Sequence, residues 1–299
     1  TIEKLNKIIE TFSDYYSKLK KKTNCLIYLE NSKLKTKRNE LDFIKDQIQL
    51  LTLFTYKFSK YKNKDDDENN DNEIKKKIVS AKKSKKSVKK KNNKKTSNNN
   101  NSKKTKKQTK DNIVSLTIYC EEDNLLELKN FLKMVDSMKL VRDLGNEPSN
   151  ILNPDEYVRR IKLRGKQSNF QVIVHNEKKI KKLGMNSLLS VSAGSKYPGY
   201  LIELRLKKVR KEKPIALIGK GITFDSGGIS LKRPHKMGAM KTDMLGSATV
   251  LGIIDYLAQI KCRRNVIGFL AIAENMPGPN ATRPGDIVKS YSGKTIEIL

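Results

Sequence analysis

The sequence has no tryptophan, only two histidines and only three cysteines among its 299 residues. Because Cys25, Cys120 and Cys262 are odd in number, far apart and in no CxxC arrangement, they argue against a disulfide framework or a zinc finger and favour a reducing compartment. No run approaches the roughly 18 apolar residues of a membrane span, and the first residues lack the basic-then-apolar pattern of a secretory signal. We therefore expect a cytoplasmic protein with no membrane partner.

Acidic residues are absent from positions 74–110, which carry 17 lysines and so account for 17 of the 31 net positive charges. This Lys/Asn-rich segment has little apolar surface to bury, whereas ordering the backbone costs roughly 1–2 kcal/mol per residue. We therefore predict a disordered basic insertion over residues 61–112. Three interpretations of the lysines stay open: a solvated insertion, a nucleic-acid-binding or nuclear-targeting arm, and a contact with a membrane surface.

The insertion interrupts the first of two predicted α/β domains, which covers residues 1–145. Before it, apolar residues spaced close to 3.6 positions apart predict two amphipathic helices around a strand at 25–29. After it, the pattern predicts a strand at 113–120 and a helix at 125–144. The insertion is therefore expected to interrupt one domain and not to separate two.

Turn-forming residues near 146–154 predict the change to a second α/β domain, residues 146–299. Its predicted elements are a helix with Asp155 in its first turn, a strand at 171–175, a short helix at 178–183, and strands at 200–206, 214–219 and 265–273, with a helix at 246–260 between the last two. The final strand, helix and strand imply a right-handed crossover. We expect a mostly parallel or mixed sheet flanked by helices, with ligands at the carboxyl ends of its strands.

Four charged residues cluster in sequence after the predicted strand at 214–219. Asp225 and Asp243 are carboxylates, and Lys220 and Lys232 are lysines, within the strings GKGITFDSGGISLK (219–232) and MKTDM (240–244). Carboxylates without histidines are hard oxygen ligands suited to a divalent cation. Any one of the four alone is more often a solvated loop charge, but their joint spacing favours a functional site.

These strings resemble the catalytic domain of the leucyl (cytosol) aminopeptidase family. The string RDLGNEPSN at 142–150 is similar to the segment that links the two domains of the family, and LGM at 183–185 is similar to the region after it. The resemblance covers about residues 135–299. It implies a hexameric metallopeptidase that uses two divalent cations (zinc or manganese, with magnesium or cobalt as alternatives) to remove N-terminal, preferably apolar, leucine-like residues from peptides.

The resemblance also implies roles for individual residues. Asp225 would bridge the two metals, and Lys220 and Asp243 would bind the more exchangeable metal and contact substrate. Lys232 would be catalytic by holding the substrate carbonyl, and Met240 would line the pocket for the first side chain. The departure is Arg233, which stands where a proline or small residue often follows the catalytic lysine in the family.

A second cluster of the family, the string NTDAEGR, follows a strand like the one predicted at 294–299, but the sequence stops at Leu299. The remaining acidic ligands and an arginine are therefore missing from the given residues. A divalent ion normally needs four or more ligands. We accordingly expect a C-terminally truncated chain that is inactive alone.

Two other interpretations were weighed. The string DSGG at 225–228 also occurs around the nucleophile of chymotrypsin-like proteases, but that mechanism needs a catalytic histidine and a second aspartate on a β-barrel. Here His175 falls in a predicted strand and His235 in a predicted loop, so Ser226 is interpreted as a turn residue and His235 as a solvated side chain. The other hypothesis is a nucleic-acid-binding member of the same family.

The basic segment yields a test of that second hypothesis. Lysines without interleaved aromatic residues offer attraction to phosphates but no base stacking. We expect non-specific DNA to bind weakly and to dissociate as salt rises, and deletion of residues 74–110 to lower the affinity in a salt titration. Unchanged affinity after the deletion would remove this segment from any role in DNA binding.

Overall fold

The computed structural model describes residues 23–27, 114–118, 125–206 and 213–299, together with ten single positions between 42 and 61. The first predicted helix and residues 62–112 of the predicted insertion lie outside the described residues. The described positions between 42 and 52 are helical, in agreement with the second predicted helix. None of the helices in this described part of the chain is sufficiently long and apolar to span a membrane.

The first sheet joins the two sides of the basic insertion. Strand β1 (Thr23–Ile27) pairs in parallel with β2 (Val114–Ile118). Both strands were predicted, each with slightly different ends. Because one precedes residues 62–112 and the other follows them, this segment interrupts a single sheet.

The rest of the described chain forms a mixed α/β unit. Its elements are α1 (Leu125–Asn146), α2 (Pro154–Ser168), β3 (Gln171–His175), α3 (Glu177–Lys182), α4 (Asn186–Ser192), β4 (Tyr200–Leu206), β5 (Ile215–Asp225), a 3₁₀ helix (Met237–Thr242), α5 (Leu245–Gln259), β6 (Val266–Asn275), β7 (Ile287–Lys289) and β8 (Thr295–Glu297). The predicted helices and strands are all present, whereas α4, the 3₁₀ helix and β7 were not predicted. Helix α4 shows why. Its sequence, NSLLSVS, is short and rich in serine, so it carries no helical period.

Four strands form the main sheet in the order β3-β4-β6-β5. Strand β4 is antiparallel to both neighbours, and β5 is parallel to β6. The sheet is therefore mixed, and the parallel strands on either side of α5 confirm the predicted crossover. One face carries the core, where Ile202, Leu204 and Leu270 of the sheet pack with Tyr157 of α2 and Ile254 of α5.

Helix α2 shows how sequence sets an element boundary in this unit. The side chain of Asn153 accepts a hydrogen bond from the backbone N–H of Glu156 at 3.0 Å, and Pro154 occupies the first turn. Both are favourable at a helix start, since the first N–H groups lack intrahelical partners. The helix ends before Asn169, whose left-handed backbone (φ 59°) stops further propagation.

The prediction that a strand ends at Gly219 is wrong, because β5 continues to Asp225. The glycines at 219 and 221 lie inside the strand and not in a loop. A Cβ on Gly219 would lie 2.6 Å from Cα of Ser247 in α5. These glycines therefore allow the helix to approach the strand; they do not end it, and Lys220 lies in a strand.

Helix α1 crosses the predicted domain boundary at residues 145/146. Its C-terminal half packs on α5, where a Cβ on Gly252 would lie 2.6 Å from the side chain of Val141. Its N-terminal half packs with Ile48 through Leu128 and Phe131. The division into domains 1–145 and 146–299 stays a prediction, and α1 contacts both sides of it.

A buried carboxylate joins three of the helices. Asp255 of α5 has no exposed side-chain surface, and Arg164 of α2 binds it through two hydrogen bonds of 2.6 and 2.7 Å. Ser168 of α2 donates to the same carboxylate at 2.5 Å, and Ser137 of α1 donates to it at 2.7 Å. Burial alone would raise the pKa of Asp255, but these donors outweigh it and lower the pKa below its ordinary value. The Asp255 cluster thus fixes α1 and α2 to α5.

We expect Asp255→Ala to lower the free energy of unfolding by about 3–5 kcal/mol, because it leaves the Arg164 guanidinium without its partner. Urea denaturation followed by circular dichroism measures the change. Because the folded-state pKa lies below the unfolded one, the stabilisation is present above the ordinary value of 3.8 and is lost as pH falls through the folded-state pKa. The difference between variant and parent should therefore shrink in acid, and the exposed Glu297→Ala of β8 serves as control.

Candidate active site

A β-bulge brings Lys220 and Asp225 to the same face of the sheet. Between the pairs Ile222↔Ala273 and Asp225↔Asn275, strand β5 advances three residues while β6 advances two. Side chains alternate between faces along a strand, so one extra residue reverses the alternation. Asp225, five positions after Lys220, consequently lies on the face of Lys220, and Asn275 lies beside it.

Three donors hold the Asp225 carboxylate. The backbone N–H of Gly227 and the amide of Asn275 donate to Oδ1 at 3.0 and 2.8 Å, and the Lys232 ammonium binds Oδ2. Burial alone would raise the pKa of Asp225, but Lys232, Gly227 and Asn275 outweigh it and hold the pKa below its ordinary value. The carboxylate is therefore charged and oriented at neutral pH.

A tight turn after β5 returns the chain to Asp225. Gly227 and Gly228 have φ of 92° and 69°, a region that side chains disfavour. The N–H of Lys232 donates to the carbonyl of Ser226 at 2.9 Å and closes the turn. The Ser226 hydroxyl is buried and donates to the carbonyl of Asn275 at 2.8 Å. Ser226 is thus the turn residue that the sequence predicted.

The 3₁₀ helix connects the two charged pairs of the site. Near its end, Met240 places its sulfur 3.5 Å from Nζ of Lys232. Asp243 caps the same helix, and its Oδ2 lies 2.8 Å from Nζ of Lys220. Lys241 donates to the carbonyl of Asn146 at 3.0 Å and fixes the helix to the linking segment. One short element therefore positions both Met240 and Asp243.

The donor set fits a divalent cation. Oδ2 of Asp243 is buried, and it lacks hydrogen-bond geometry to any described residue although Lys220 is at ion-pair distance. The Lys220 ammonium balances the charge of this oxygen, and a carboxylate oxygen in this position is the type of ligand that a hard divalent cation prefers. Asp225 supplies the second carboxylate. Within the described ranges, no group of three or more His, Cys, Asp or Glu side chains could hold a metal. The ligands that the sequence resemblance predicts are Asp225, Asp243 and the amine of Lys220, and this set stays a prediction.

The segment linking the two predicted domains contacts the bulge. The Ser149 hydroxyl donates to the carbonyl of Thr223 at 2.7 Å, where the bulge disrupts the strand ladder. In the same segment, buried Glu147 accepts hydrogen bonds from Lys60 and from Tyr61 at 2.6 Å and pairs with Arg160 at 3.0 Å. The linking segment is thus fixed both to the site and to residues before the insertion.

The structure brings the predicted site residues together as two ion pairs, Lys220 with Asp243 and Lys232 with Asp225. It places Met240 against Lys232. Sequence reasoning missed Asn275, although its position just after the predicted apolar strand at 265–273 was a usable signal. His235 is exposed, and His175 bonds to Glu203 at 2.6 Å, so neither supports the serine-protease interpretation.

Comparison with known families agrees with this geometry. The family profile described as "Cytosol aminopeptidase family, catalytic domain" matches residues 139–299. The chain belongs to the cytosol aminopeptidase family. The resemblance carried by the strings at 219–232 and 240–244 is therefore confirmed.

Curated relatives in this family are longer than the chain. Identity is 43% over 198 residues with the probable cytosol aminopeptidase of Phytoplasma australiense, covering 65% of this chain and 40% of that protein. Identity with the probable cytosol aminopeptidase of Vesicomyosocius okutanii is 46% over 193 residues, covering 64% of this chain and 40% of that protein. Identity with the probable cytosol aminopeptidase of Thioalkalivibrio sulfidiphilus is 50% over 163 residues, covering 54% of this chain and 33% of that protein. The chain thus spans at most 40% of the length of these three relatives.

Two solved structures share the fold. The bottromycin maturation enzyme BotP in complex with Mn gives a TM-score of 0.70 at 22% identity, covering 97% of this chain and 52% of that chain. A second structure of BotP gives 0.64 at 24% identity, covering 86% and 45%. At this level of identity the likeness shows the fold alone.

We expect Gly219→Ala to destabilise the chain by roughly 1–3 kcal/mol, because the new methyl group would overlap the backbone of α5. Gly238→Ala is the matched control, since a Cβ at Gly238 meets nothing within 4 Å. Urea denaturation of both variants measures the difference. Equal stability of the two variants would contradict the close approach of α5 to β5.

Proposed function

We propose that the protein containing this chain is a metal-dependent aminopeptidase that removes N-terminal residues from peptides. The observation that supports this proposal is the pairing of two carboxylates with two lysines at the carboxyl end of β5, in a chain of the cytosol aminopeptidase family. Two divalent cations are proposed, zinc or manganese, with magnesium or cobalt as alternatives. A solved structure of similar fold is a complex with Mn.

Asp225, Asp243 and Lys220 are proposed to hold the cations, with Asp225 shared between them. When bound, two such cations would lower the pKa of a water toward about 7 and polarise a carbonyl group. Asp225 suits this role because Gly227 and Asn275 fix one of its oxygens. Asp243 suits this role because its carboxylate lies beside the other proposed ligand, with Oδ2 2.8 Å from Nζ of Lys220.

Lys232 is proposed as the catalytic residue that contacts the substrate. Its side chain is 40% exposed, and its ammonium group lies at the Asp225 carboxylate. A small rotation would let it donate to the carbonyl oxygen of the substrate and stabilise the negative charge that develops there. The ion pair with Asp225 keeps the ammonium group at the site between turnovers.

Met240 is proposed to contact the side chain of the N-terminal residue of the substrate. Its thioether lies 3.5 Å from the Lys232 ammonium, so a carbonyl held by Lys232 would place the neighbouring side chain near Met240. A thioether is apolar and adapts its shape. This supports a preference for leucine-like residues.

The surroundings of the enzyme are also proposals. We propose a homo-hexamer and a cytoplasmic location on the basis of family membership. Binding of non-specific nucleic acid through residues 74–110 is a second candidate function, because 17 lysines without an acidic residue attract phosphate. The salt titration described above tests it.

We expect Lys232→Met to lower kcat for a leucine anilide by about 10²–10³-fold, the usual cost of removing one donor to a developing oxyanion. KM should change little, because the lost interaction forms in the transition state. The measurement is steady-state hydrolysis by the whole protein. The exposed Lys289→Met of β7 is the control and should retain parental activity. Full activity of Lys232→Met, or full activity after removal of metal by a chelator, would refute the proposed function.

The 299-residue polypeptide alone should show no measurable aminopeptidase turnover. Three candidate ligand side chains do not give two divalent cations four or more ligands each. Hydrolysis of a leucine anilide by the purified polypeptide, with manganese or zinc added, checks this expectation. Turnover that a chelator abolishes would show that these residues suffice.

A further inference from the structure

Asn275 is the last residue of β6 and lies directly opposite Asp225. The two residues are paired in register, after the bulge, on the face that also carries Lys220. The amide Nδ2 of Asn275 donates to Oδ1 of Asp225 at 2.8 Å. Both atoms are partly buried, so the bond is shielded from competition by water.

The side chain and the backbone of Asn275 make different contacts. The backbone carbonyl accepts hydrogen bonds from the N–H of Ser226 at 3.0 Å and from its hydroxyl at 2.8 Å. These bonds hold the turn after β5 and do not need an asparagine. Among the described residues, the side-chain amide donates to Asp225 alone. The side chain of Asn275 therefore orients the Asp225 carboxylate, while its backbone stabilises the turn after β5.

Gly228 makes room for this amide. A Cβ at Gly228 would lie 2.8 Å from Oδ1 of Asn275, which is closer than two such atoms normally approach. The tight turn thus brings its backbone against the far side of the amide, and Asn275 is held between Gly228 and Asp225. A longer side chain at position 275 would not fit the same space.

We propose that Asn275 is a positioning residue of the metal site, which orients Asp225 for cation binding. This inference rests on the proposed function. With Oδ1 fixed by Asn275 and Gly227, the carboxylate plane cannot rotate, and Oδ2 is directed to the side where Lys232 lies. Partners that orient a metal ligand in this way typically change metal affinity or activity 10–100-fold when they are removed.

The test compares Asn275→Leu, which keeps the branched shape without the donor, and Asn275→Ser, which is too short to reach Asp225. The exposed Asn280→Leu is the matched control. Binding of Mn²⁺ alone to the metal-free whole protein is measured by electron paramagnetic resonance, well below the melting temperature of each variant. We expect both variants at position 275 to bind Mn²⁺ roughly 10–100-fold more weakly and the control to bind like the parent.

Activity supplies a second readout. With a leucine anilide, activity lost in Asn275→Leu should recover as Mn²⁺ is raised, and KM for the anilide at saturating Mn²⁺ should stay unchanged. Parental Mn²⁺ affinity in either folded variant would overturn the positioning role, as would a loss of affinity that only follows a loss of folded protein. Failure of the proposed function gives a different result, in which Lys232→Met hydrolyses the anilide as well as the parent does.

Discussion

The contact between the start of α5 and the middle of β5 determines the geometry of the candidate site. Gly219 and Gly221 on the strand and Gly246 on the helix bring the two backbones together, and a Cβ on Gly219 would lie 2.6 Å from Cα of Ser247. Because helix and strand meet without side chains between them, Asp243, which lies two residues before α5, comes within reach of the strand. Asp243 can therefore pair with Lys220. The site therefore requires glycines where α5 crosses β5, because larger residues would push the helix away from the strand.

The bulge in β5 supplies the second condition. Without the extra residue between Ile222 and Asp225, alternation would turn Asp225 toward the face that packs on α5, where a carboxylate would be buried among apolar side chains. With the extra residue, Asp225 lies on the same face of the sheet as Lys220, opposite the face that packs on α5. The bulge leaves a backbone carbonyl at Thr223, which Ser149 satisfies. The conformation of the strand thus depends on a contact from the linking segment.

Sequence patterns predicted most elements of residues 146–299 because the strands and helices there carry clear periods. The strands at 171–175 and 200–206 were predicted with their observed bounds. The end of β5 was not predicted correctly. Glycines in a sequence indicate either a turn or a close approach of two backbones, and only the position of α5 decides between these two interpretations. Asn275 was missed for a related reason: its role depends on a register shift in the neighbouring strand, which no single segment encodes. The charged residues themselves were predicted, since their chemistry is visible without the fold.

Two kinds of contact hold the Asp225 carboxylate, namely an ion pair with Lys232 and hydrogen bonds from Gly227 and Asn275. Lys232 is 40% exposed, so its ammonium group can exchange between Asp225 and water. The bonds from Gly227 and Asn275 to Asp225 come instead from the turn and from the strand β6. Under the proposed function, a cation bound to Asp225 would take the place of the Lys232 ammonium group, while Gly227 and Asn275 keep their bonds to Oδ1. The positive charges of Lys220 and Lys232 balance the two carboxylates, and the backbone of Gly227 and the side chain of Asn275 orient Asp225.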